Sequence, residues 1–245
     1  MFNSHRHCSS RGNLKLKLFQ NPFRRLKSDQ IRGTKTADLQ AGLDALTDFA
    51  IGKGAFGDRI LAELDADQEL FSDLEGRQPD FDEKMVLNLW AFIVCVSGLR
   101  DVSELEKRSF LDQYHELIRR LFVFPPEKAD ETAGLAAHWS RISTLAQIRY
   151  EEYFEAYREM WHQLETLQKD QSRNLVPAAP LMRLIAKNLF AIESDSLALA
   201  VVIQTLLTNQ VIAFAKTFGS AEGWANLRRF QESALTTIKS GSLNS

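Results

Sequence analysis

Two cysteines, six prolines and twelve glycines are few for 245 residues. Cys8 and Cys95 make no disulfide framework. Cys95 falls in the apolar run MVLNLWAFIVCVSG, where a thiol is simply a small hydrophobe. So little Gly and Pro argues against an all-β protein, which needs closely spaced turns. Charge of one sign is also lacking. The formal net charge is −2, so no whole-chain field draws the protein to nucleic acid or to an anionic membrane. No continuous apolar run of the secretory kind follows the basic N-terminus, and a cytoplasmic protein is the expectation.

What is present is an ordinary globular balance of 44% apolar and 25% charged residues. The charge is unevenly laid out. Over residues 1–34, Arg6, Arg11, Lys15, Lys17, Arg24, Arg25, Lys27 and Arg32 face a single acid, Asp29. Leu14, Leu16, Leu18, Phe19, Phe23 and Leu26 are interleaved with them, giving a basic amphipathic tail. Such a segment suits an anionic surface, membrane or nucleic acid, or an organellar targeting role. Downstream, residues 58–83 are strongly acidic.

Residues 35–240 read as one all-α domain, a bundle of about eight helices by apolar periodicity. Leu39, Leu43, Leu46, Phe49 and Ala50 form a first stripe, and Phe56, Ile60, Leu61 and Leu64 a second. Asp80 opens a third helix, apolar nearly all round and therefore central, with Gly98 at its end. Ser103 and Glu106 make a capping box for a fourth, which Pro125-Pro126 stops. The stripe from Trp139 through Tyr150, Tyr153, Tyr157 and Trp161 fits one long helix or two in line. Three more follow: one through Leu181 and Leu189, an uncharged one over 196–215, and one through Trp224 and Ile238. The uncharged segment is long enough to cross a membrane. Its Gln204, Thr205, Thr208, Asn209 and Gln210 favour a buried helix in a soluble bundle, with a membrane-associated protein as the alternative.

Gly52, Gly54 and Gly57 repeat the spacing of the protein-kinase phosphate loop, but no β3 lysine, HRD or DFG motif follows. The flanks have helical rather than strand spacing. The glycines are therefore expected to be punctuation, with Gly57 as the N-cap of a helix and Phe56 and Leu61 as its hydrophobic staple. Asp112-x-x-His115 and Glu159-x-x-His162 have the spacing of di-iron helix motifs, yet their neighbours Arg108, Arg158 and Glu165 place them on solvated faces. The run from Asp65 to Glu69 lacks the glycine and the final glutamate of a calcium loop. The segment around 43–64 resembles the first helices of TetR-type regulators, but the would-be recognition helix is acidic and DNA would repel it.

No catalytic set, cofactor loop or metal set survives. The expected function is a non-catalytic interaction or ligand-binding protein, its tail on an anionic surface or a protein partner. The alternative is a helical enzyme or small-ligand sensor with a pocket in the bundle core. Its polar lining would come from His138, Tyr150, Tyr153, Gln204 and Asn209.

Overall fold

A helix that is apolar on nearly every side must be enclosed by others, and residues 81–97 dictate the arrangement of the rest. The computed structural model describes residues 54–67, 71, 74, 77–123, 132–169 and 177–239. Among them are seven helices: α1 (Phe56–Ala66), α2 (Phe81–Ser97), α3 (Glu104–Val123), α4 (Thr132–Lys169), α5 (Ala179–Phe190), α6 (Leu197–Phe218) and α7 (Ala221–Lys239). No strand occurs among the described residues, and the protein is an all-α bundle. The count is seven there rather than about eight. The stripe over 39–50, the basic segment 1–34, Gly52 and Pro125-Pro126 lie outside the described residues.

Helix α2 packs against α1, α3, α4, α5 and α6, while α7 closes on α3 and α6. Trp90, Phe92, Val86, Leu87 and Cys95 are fully buried on it, and burial pushes the Cys95 thiol pKa up. Aromatic rings fill the space on both sides. Trp90 lies 5.3 Å from Tyr153 between ring centroids, and Phe92 stacks on Tyr114 at 3.9 Å. Such pairs prefer offset and edge-on geometries and add to the apolar burial.

The ends of α2 are set as its sequence indicates. Asp80 caps it, accepting from the Asp82 and Glu83 N–H groups at 2.9 and 3.0 Å. Gly98 ends it, in ordinary right-handed geometry (φ −71°) rather than the left-handed one that glycine favours. The capping box is also present: the Glu106 N–H donates to Ser103 Oγ and the Ser103 N–H to Glu106 Oε2, each at 3.3 Å. Helix α4 is a single element of 38 residues. Its stripe drifts at 3.6 residues per turn, so Met160 enters the core while Trp161 is 42% exposed.

Two expectations change. Helix α6 buries one face, including Leu199, Ile203, Leu207 and Phe214, but Leu197, Val201 and Ile212 are exposed. It is the one helix among the described residues long and apolar enough to cross a membrane. Gln210 points into the core, its amide without a hydrogen-bond partner among the described residues. Gly57 is not a cap. Ala55 holds that position, without a side-chain cap, and Phe56 is the first helical residue, packed on Trp90.

Gly57 is needed for close approach. Its N–H donates to Asn88 Oδ1 at 2.6 Å, and a Cβ there would stand 2.9 Å from that oxygen and 3.0 Å from Lys84 Cγ. Asp58 completes the junction, accepting from Lys84 Nζ at 2.7 Å and from Asn88 Nδ2 at 3.0 Å. Gly57→Ala should therefore force α1 off α2 and cost about 1–3 kcal/mol in a denaturant melt. A change within a few tenths of a kcal/mol would mean that Asn88 simply rotates away.

Candidate functional site

The middle of α3 reads DQYHELIRR. Tyr114, Leu117 and Ile118 turn into the core. Asp112, His115, Glu116 and Arg119, spaced by three and four, share the adjoining face toward α4. Helix α4 answers with Trp139, Ser143, Gln147 and Tyr150, again at spacings of three and four. Between the two faces lies a crevice of about 370 Å³, floored by Leu89 of α2 with Ile142 and Ala146 of α4. That volume lies within the range of small-molecule sites, about 300–1,000 Å³.

Its polar groups have fixed roles. His115 Nδ1 lies 2.8 Å from the Leu111 carbonyl oxygen, which only accepts, so Nδ1 carries the proton. In the neutral ring Nε2 is then the acceptor, and Tyr150 Oη, 3.1 Å away, donates to it. Burial pushes the Tyr150 phenol pKa up, which keeps that donor protonated. Arg119 forks onto Glu116, with Nε at 2.7 Å from Oε2 and Nη2 at 2.8 Å from Oε1. The Arg119 hydrogen bonds pull the Glu116 carboxyl down to about 2 against the opposing effect of burial, and Arg120 adds to the pull. Asp112 is exposed and carries no hydrogen bond or ion pair among the described residues.

A second, more open depression of about 760 Å³ lies where the start of α2 meets α4. Its Asp82 and Glu83 carboxylates are already matched. His138 Nε2 donates to Asp82 Oδ1 at 2.6 Å, and Arg141 Nε to Asp82 Oδ2 at 2.5 Å. Arg149 Nε and Nη2 both donate to Glu83 Oε1, at 2.8 and 2.7 Å. Burial pushes the Asp82 carboxyl up, but the Arg141 and His138 hydrogen bonds outweigh it and leave the pKa lowered. For Glu83, which is buried, desolvation wins over Arg149 and the pKa is raised. This network clamps α4 onto α2, with Asp82 and Glu83 each already paired to an arginine.

The five polar residues singled out from the sequence occupy different places. Tyr150 lines the crevice. His138 belongs to the ion-pair clamp. Tyr153 is buried, its hydroxyl accepting from Asn188 Nδ2 at 3.3 Å. Gln204 and Asn209 are half-buried on α6. The Asp112/His115 pair, expected on a solvated face, is divided: Asp112 is exposed, while His115 is half-buried and tied to Tyr150. The legible signal was the run of polar residues at 112, 115, 116 and 119, whose partner helix only the packing supplies. Glu159 and His162 are exposed, and no group of three His, Cys, Asp or Glu side chains gathers among the described residues.

Glu116 gives a pH test. Its carboxyl sits at about 2 in the fold against an ordinary 4.5, so its contribution to stability is complete above 4.5 and lost as pH falls toward 2. Glu116→Gln should flatten that part of the stability–pH curve, read by urea melts at stepped pH. An unchanged acid limb would show that the pair adds nothing beyond its unfolded reference. Searches of protein-family models, curated proteins and solved structures give no match to this chain.

Proposed function

We propose that this chain is a non-catalytic binding protein. Its helical body takes a small ligand in the α3–α4 crevice, and its basic N-terminal segment contacts an anionic surface. The observation carrying the first part is the crevice itself, an apolar floor under a few convergent polar groups. Binding is favoured over catalysis because both ring nitrogens of His115 are committed, one to Leu111 and one to Tyr150. A general base needs a free lone pair within reach of its proton.

The test is a thermal-shift and calorimetric screen of aromatic fragments of different charge, run in parallel on the native chain and on Ser143→Trp. Ser143 is half-buried on the crevice wall, so an indole there fills the space while leaving the core intact. The expected outcome is fragment binding by the native chain and its loss in the variant at an unchanged melting temperature. Equal binding by both places the ligand elsewhere.

For the N-terminal segment the support is its charge, all eight bases against Asp29. Replacing Arg24, Arg25, Lys27 and Arg32 by Gln should weaken co-sedimentation with phosphatidylserine vesicles or with RNA and make its remaining dependence on salt shallower. Undiminished sedimentation of the variant with both would remove that role.

A further inference from the structure

We infer that the α3–α4 crevice selects a small organic cation, an ammonium group on a flat apolar body. This rests on the crevice being a binding site, and it names the ligand class.

The inference follows from which hydrogen-bonding capacities remain open. Three groups that would attract an anion are already committed. Arg119 places its guanidinium fork on Glu116, and Arg120 also reaches that carboxylate. His115 directs its one N–H at the Leu111 carbonyl. Tyr150 gives its hydroxyl proton to His115 Nε2, so its oxygen meets the crevice with lone pairs alone. Asp112 adds a carboxylate to the same wall, with no cation bound to it among the described residues.

Beside the neutral Ser143 and Gln147, which can donate or accept, the open capacities of these groups are acceptors, one of them charged. Beneath them lie the Leu89, Ile142 and Ala146 side chains and the Trp139 indole. An ammonium group meets the carboxylate and the phenolic oxygen, and the face of an aromatic ring adds cation–π attraction. Its apolar body covers the floor. A carboxylate ligand would meet the like charge of Asp112 and the lone pairs of Tyr150, and outside the Arg119–Glu116 fork would find only the neutral donors of Ser143 and Gln147 on this wall.

The probes are naphthylmethylammonium, naphthylmethanol and naphthoate, isosteric rings with charges of either sign or none. Each is titrated calorimetrically into the full-length chain near neutral pH. The ammonium should bind about tenfold more tightly than the alcohol, and the carboxylate more weakly than both. Asp112→Asn should lower ammonium affinity about tenfold and leave the alcohol unchanged. The exposed Asp112 is outside the core, so the melting temperature should not move. Tyr150→Phe is the second variant; it should reduce the preference for the ammonium over the alcohol.

Tighter binding of naphthoate, or unaltered ammonium affinity in Asp112→Asn, overturns the inference. If the three probes bind equally and Ser143→Trp abolishes all of it, the crevice remains the binding site and only the cation preference falls. If none binds, the binding-site reading itself falls.

Discussion

The fold depends on enclosing α2 while pairing its charged side chains with those of its neighbours. A 17-residue helix packed by five others leaves little solvent along its middle to satisfy a charge or an amide. Asp82, Glu83, Lys84 and Asn88 are each matched by a neighbour, while the buried Trp90 Nε1 has no hydrogen-bond partner among the described residues. Asp80 closes its own first turn, Glu83 and Asp82 are gripped by cations of α4, and Asn88 is divided between α1 backbone and Asp58. These contacts set the rotation of α2, and that rotation puts Trp90 against Tyr153 and Phe92 against Tyr114.

The crevice is a by-product of the same geometry. α3 and α4 both pack on α2, and α4 is held at its N-terminal half by the Asp82 and Glu83 ion pairs. Where the two helices approach each other, long polar side chains of α3 meet the small residues Ser143 and Ala146. Large side chains at those two positions would have filled the space. The site is thus made of size mismatch, with Leu89 of the central helix as its base.

Much of the fold was legible because it rests on local rules. Apolar spacing marked all seven described helices, and Asp80, Ser103 and Glu106 announced their caps. What stayed hidden depends on partners far apart in sequence. Gly57 has the pattern of a cap, yet its requirement is set by Asn88, thirty-one residues away. Glu83 is an acid in the first turn of α2, and its burial is matched by Arg149, sixty-six residues away. Trp161 looked like core because a stripe extended by eye ignores the slow drift of a long helix. The crevice was half visible: the polar face of α3 could be seen, but Tyr150 became its partner only through helix pairing.

The central position of α2 also has a consequence for how the chain leaves the ribosome. MVLNLWAFIVCV is uncharged, free of proline and rich in β-branched and aromatic residues, the composition of a segment that aggregates when bare. Its covers α5 and α6 begin at Ala179 and Leu197, roughly a hundred residues later, and synthesis at about 5–20 residues per second leaves the segment waiting for several seconds. During that interval α1, made before it, and then α3 and α4 are the covers within reach. A partial core of α1 to α4, or a chaperone, would keep α2 covered until α5 and α6 complete its surroundings.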